Sequence, residues 1–98
     1  LVRADLSNAN LSQAYLVGAD FKQAFLTSAN LQSADMRSTR LSFASLSSAN
    51  LSFANLNGAD LAGATLREAN VTGVDLTKVV MNQTTLPDGR VSPRLRRQ

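Results

Sequence analysis

The chain is 98 residues long, with 44% hydrophobic and 17% charged residues, a balance that suits one small folded domain and excludes a disordered acidic or basic segment. It contains no Cys and no His, which removes disulfide staples, thiolate zinc sites, a Cys nucleophile and any Ser-His-Asp relay. The net charge of +3 at first suggests a nucleic acid or an anionic membrane as partner.

The placement of the charge argues otherwise. Over residues 1–86, Arg3, Lys22, Arg37, Arg40, Arg67 and Lys78 are balanced by Asp5, Asp20, Asp35, Asp60, Glu68 and Asp75. The whole excess lies in residues 87–98, where Arg90, Arg94, Arg96 and Arg97 face only Asp88. A short basic terminus of this kind reads as a solvated tail. No stretch approaches the roughly 20 apolar residues of a membrane span.

From Leu1 onward the chain repeats every five residues. Of the 18 positions taken at that interval from Leu1 to Leu86, 14 are Leu, and the others are Phe21, Met36, Val71 and Met81. Every Leu except Leu95 falls in this register. Two residues earlier the chain carries Ala, with Thr39, Val74, Val79 and Thr84 as the exceptions, and the place between is mostly Asp or Asn. The remaining two places are mainly Ser, Gln, Thr and Gly.

Period five suits neither regular element. On a helix, fifth positions step by about 140° and spread around the axis, and on a continuous strand an odd period alternates faces. The pattern makes sense if the chain turns a corner at every repeat. Ala and the centre residue then point inward from a short extended segment, the intervening Asp or Asn points outward, and the two polar residues form the corner. Gly18, Gly58, Gly63 and Gly73 occupy the second corner place, where a type II turn needs positive φ. A chain that corners regularly and buries the same two places is a solenoid.

The Asn residues set the number of sides. Asn10, Asn30, Asn50 and Asn70 recur at 20 residues, which is four repeats and hence a square coil. Asp20, Arg40 and Asp60 form another such column, and stacking is expected to place Arg40 between two carboxylates. The predicted core includes Leu6, Leu26, Leu46, Leu66, Phe21, Met36, Ala24, Ala44 and Ala64. About four coils, at about 4.8 Å per coil, give a rod roughly 20 Å long.

These residues resemble the pentapeptide-repeat family, whose motif is A-[D/N]-L-x-x. The resemblance runs from residue 1 to about 86 through seventeen consecutive in-phase repeats. It implies an all-β fold, a right-handed quadrilateral parallel β-helix with the centre residue and its preceding Ala inside. It also points to a bacterial source, cyanobacterial above all. The Leu86-Pro87-Asp88-Gly89 segment is similar to the way many members close. Val and Thr in the Ala places suggest that the last coil is wider and that residues 79–93 act as a cap, before a basic tail. The N-terminal coil has no comparable cap, since the phase begins at Leu1, and end-to-end self-association through that coil is one expectation.

The functional candidates are surface features. The Asn column is expected to bond to itself and to corner backbone, and the Asp20–Arg40–Asp60 column to act as a surface ladder. Tyr15, Phe25, Phe43 and Phe53 are expected to point outward, with Tyr15 and Phe25 on one level and Phe43 and Phe53 on the next, as an interaction patch. The serines lack a base and no glycine-rich phosphate loop exists, so no catalytic, cofactor or metal site is expected. The expected role is a non-enzymatic structural or protein-interaction scaffold, without direct nucleic-acid or membrane binding and with a cytoplasmic location as default. The resemblance supplies an alternative: some family members mimic B-DNA and modulate type II topoisomerases such as DNA gyrase. Those are long acidic rods that dimerise through a C-terminal helix, whereas this rod is short and neutral.

Overall fold

A computed structural model describes residues 1–92, so Arg94, Arg96 and Arg97 of the basic tail lie outside the described residues. The chain is a β-helix solenoid. Its parallel bridges all join a residue to the one 20 positions on: Asp5 to Phe25 and on to Ser45, Thr65 and Thr85; Asn10 to Asn30, Asn50 and Asn70; Tyr15 to Asp35 and Asn55; Asp20 to Arg40, Asp60 and Val80. Four outward columns therefore run along the rod, called below the Phe25, Asn, Tyr15 and Arg40 sides.

One repeat shows how five residues satisfy their own backbone. Asn30 N–H donates to the Ala9 carbonyl at 2.9 Å, Leu31 N–H to Asn50 at 2.7 Å and Ser33 N–H to Ser52 at 2.9 Å, which ties the repeat to both neighbouring coils. Ala34 N–H donates to Leu31 at 3.1 Å and closes the corner. The fifth donor, Gln32 N–H, has no backbone acceptor and bonds to Asn30 Oδ1 at 3.1 Å. An N–H without a partner is costly, so the Asp/Asn preference between Ala and Leu supplies the one corner donor that the backbone leaves unpaired.

Every second corner residue from Arg3 to Gln83 has positive φ except Lys78, and twelve of these are not glycine, with φ between 57° and 65°. Glycine is thus not a condition of the corner. Ser, Gln, Asn, Arg, Glu and Phe adopt the same conformation, at about 1–2 kcal/mol each, because the closing bond and the bond to the next coil leave the chain no alternative.

The interior is a stack of centre residues interleaved with Ala. Phe21, Leu26, Met36, Leu46 and Leu66 are fully buried, as are Ala24, Ala44 and Ala64. Leu6 is the exception among the predicted core residues: it packs against the core from the first coil and is half-buried, having a layer on one side only. Thr39 and Thr84 fit Ala places because their hydroxyls donate inside the wall, to the Met36 carbonyl at 2.9 Å and the Leu61 carbonyl at 2.7 Å.

The regular winding breaks once in the last coil. Asn55 and Asp75 do not pair, and Leu76–Lys78 form a short 3-10 turn whose Thr77 N–H donates to the Asp75 side chain at 3.0 Å. The Ala places on either side of this turn hold Val74 and Val79, both packed on the core. Both are bulkier than the Ala that fills this place in the regular repeats. Beyond it, Thr85 pairs antiparallel with Val91, with Leu86 N–H donating to the Arg90 carbonyl and Ser92 N–H to the Thr84 carbonyl. This hairpin turns through Gly89 at φ 90° and is tied to the last coil through the Ser92–Thr84 bond.

Two substitutions test the interior. Replacing Ala64 with Leu overpacks a layer with no free volume and should cost about 3 kcal/mol in urea unfolding, whereas Ser48→Ala at an exposed corner should stay within about 0.5 kcal/mol.

Candidate interaction surfaces

The Asn column is built from the corner upward. The Oδ1 atoms of Asn10, Asn30, Asn50 and Asn70 accept from the N–H two residues on, at 3.0–3.1 Å. Ser12, Ser52 and Thr72 add hydroxyl bonds to the same oxygens at 2.7–2.8 Å. The carboxamides do not bond one another, contrary to the expectation of a mutual ladder. Each oxygen is committed to its own corner, and the NH₂ groups make no hydrogen bond among the described residues.

The Arg40 side also departs from expectation. Asp20, Arg40 and Asp60 do stack, but Arg40 forms no ion pair with either neighbour. Asp20 turns to its own corner, accepting from Lys22 N–H at 3.1 Å with the ammonium at 3.8 Å, and Asp60 accepts from Ala62 N–H at 3.0 Å. A carboxylate held in its corner turn does not swing along the column to reach a guanidinium. The close ion pair among the columns lies on the Tyr15 side, where Arg37 grips Asp35 through two bonds of 2.8 Å.

Tyr15, Phe25, Phe43 and Phe53 are between 52% and 75% exposed. They do not form one patch. Within each expected pair the residues are ten positions apart, which is half a coil, so Tyr15 and Phe25 stand on opposite sides and Phe43 and Phe53 at opposite corners. A physical detail that the single-repeat pattern does not reveal fixes two of the rings. A Cβ built on Gly63 would lie 2.5 Å from the Phe43 ring, and one on Gly73 would lie 2.7 Å from Phe53. Each ring therefore occupies the space that a side chain would take at a glycine of the next coil. The signal was in the sequence, since each glycine follows its phenylalanine by 20 residues, but it acquires meaning only with the coil length.

The carboxyls of Asp5, Asp35, Asp75 and Asp88 are held below the ordinary value of 3.8. The leading cause is the Ser7 N–H for Asp5, the Arg37 guanidinium for Asp35, the Thr77 hydroxyl for Asp75 and the Arg90 N–H for Asp88. The Arg37 guanidinium is correspondingly raised by its bonds to Asp35. Among the described residues, no group of three or more His, Cys, Asp or Glu side chains is placed to hold a metal ion.

The comparisons agree with this geometry. A family model described as pentapeptide repeats matches residues 4–42 and 44–83, in 8 copies. The chain belongs to the pentapeptide-repeat family. Its structure is similar to alr5209, a pentapeptide repeat protein from Nostoc PCC 7120, with a TM-score of 0.75 and 38% identity over 82% of each chain. It is also similar to Rfr23, a pentapeptide repeat protein from the cyanobacterium Cyanothece 51142, with a TM-score of 0.83 and 43% identity. That match covers 86% of this chain and 57% of Rfr23. The comparison with curated proteins gives no match.

Two predictions follow from the surfaces of this pentapeptide-repeat rod. Gly18→Ala meets open space and should carry only the positive-φ cost of about 1 kcal/mol; Gly63→Ala should cost more, by displacing the Phe43 ring, and Phe43→Ala should remove that excess in a double-mutant cycle of thermal stabilities. The second concerns acid. With the four carboxyls lowered in the folded state, the stability they add is fully present above the ordinary carboxylate pKa and is lost as pH falls through the lowered values. Thermal midpoints should therefore drop modestly on acidification in that window. A variant with Asn at 5, 35, 75 and 88, which preserves the corner acceptors, should show a flatter profile.

Proposed function

We propose that this pentapeptide-repeat protein is a non-enzymatic protein-interaction module. In this reading it is a right-handed, four-sided β-helix of about four coils, offering flat and rigid sides to a protein partner. The observation that carries the proposal is the set of exposed aromatic rings on a fixed scaffold. Phe43 and Phe53 remain 69% and 62% exposed while lying over Gly63 and Gly73, so their exposed faces lose little freedom on binding. Aromatic residues presented in this way are enriched in protein interfaces. The relevant surface is one side of the rod together with its adjoining corner, because the rings are distributed around it.

The charge pattern weighs against DNA mimicry. A mimic needs an unbroken acidic track, and here Arg40 interrupts Asp20 and Asp60 while Tyr15 and Asn55 flank Asp35. The test is affinity capture from a cyanobacterial lysate, with wild-type protein and two variants, Phe25→Ala/Phe43→Ala and Tyr15→Ala/Phe53→Ala, each confirmed as folded by circular dichroism. The expected result is a protein partner retained by wild type and by one variant but lost from the other. Recovery of the same proteins by all three would count against the proposal, and inhibition or protection of gyrase supercoiling would favour the mimic instead.

A further inference from the structure

At the corner between the Asn and Tyr15 sides, the first two coils leave a groove of about 230 Å³ lined by Ser12, Gln13, Gln32 and Ser33. We propose that this groove binds a neutral saccharide. The inference is independent of the protein-interaction reading and rests on what the lining can and cannot recognise.

The two glutamine carboxamides make no hydrogen bond to the described protein, in contrast to Gln23, which accepts from Arg3 Nε at 3.0 Å. Gln13 and Gln32 therefore bring two free donor-acceptor groups to one concavity. Ser12 Oγ donates to Asn10 Oδ1 at 2.8 Å, which leaves its lone pairs available as acceptors. Ser33 contributes a hydroxyl of either sense. On the Asn side, Asn10 and Asn30 have their oxygens tied to Ser12 and Gln32 N–H, so their NH₂ groups remain as donors. Tyr15, 75% exposed, stands two residues beyond Gln13 and offers an aromatic face with a polar tip.

The chemistry of this set eliminates other ligand classes. An anion meets no cation in the lining, and the nearby Arg37 is occupied by Asp35 through two bonds of 2.8 Å. A metal ion or an ammonium group meets no carboxylate there. An apolar ligand would bury the carboxamides without partners, at a cost it does not repay. A sugar hydroxyl needs a donor and an acceptor close together, and mixed amide and hydroxyl groups supply both. The backbone supports the arrangement: Gln13 N–H donates to the Gln32 carbonyl at 2.8 Å, so the two walls are fixed relative to one another before any ligand arrives.

The experiment is a titration of isotope-labelled protein with D-glucose, cellotetraose and maltotetraose, followed by amide NMR, with inorganic phosphate as a charged control. At least one saccharide should shift the backbone amides of residues 12–15 and 32–34 and the side-chain amides of Gln13 and Gln32, while phosphate leaves them unmoved. A Gln13→Ala/Gln32→Ala variant with an unchanged thermal midpoint should bind about tenfold or more weakly. Ser28→Ala, at a different corner, should bind as wild type. The proposal is overturned if none of the saccharides shifts these signals at millimolar concentration, if phosphate shifts them equally, or if the double glutamine variant binds as tightly as wild type.

Discussion

The structure depends on closing a corner within five residues. An extended segment too short to be a conventional strand must change its heading, and it does so through a bond from the Ala N–H to the carbonyl three residues earlier. That closure demands positive φ at the second corner residue, and the chain accepts it even at Phe43 and Arg3. The strain is tolerated because it is shared by a lattice of bonds, each coil being tied to the next at its sides and at its corners. A single repeat has no such support, which is why a solenoid is stable only as a stack.

From that closure the composition follows. Alanine lines the wall because the interior of the solenoid holds one large side chain per repeat and little else. Asp and Asn recur because the first corner N–H needs an acceptor that the backbone does not provide. Where Tyr15, Phe25 or Arg40 takes that place, the corner gives up this bond and the side chain is freed for the surface. The same trade appears at the glycines, where loss of a side chain at Gly63 and Gly73 makes room for a ring from the coil below. Surface variety is therefore purchased locally, one corner at a time, while the core stays uniform.

This organisation bears on function. Among the described residues, neighbours in space are mostly neighbours at 20 residues, so a groove such as that at Gln13 and Gln32 is built from the same corner of successive coils. Recognition has to come from columns and corners, with chemistry set by stacked residues of successive coils. The Asn side is uncharged through its first three coils and rich in amide donors, the Tyr15 side carries a self-contained ion pair, and the ring-bearing corners are diagonally opposed. Each side thus presents a different chemistry on the same frame.

The period of five, the identity of the inward residues, the 20-residue columns and the neutrality of the body are all legible in the sequence, because a one-dimensional repeat writes its tertiary contacts at a constant spacing. The positions of Leu26, Ala44 and Asn50 needed no structure. What only the tertiary structure decided are matters of direction and room. It turned the Asn oxygens to their own corners and left Arg40 without an ion pair to Asp20 or Asp60, because a side chain held in a corner turn does not reach along the column. It separated the aromatic rings, since half a coil is the opposite side of the rod. It bent the last coil into a 3-10 turn at Leu76–Lys78 between Val74 and Val79, because a change in the backbone path leaves the period of five in the sequence unbroken and so goes unrecorded there.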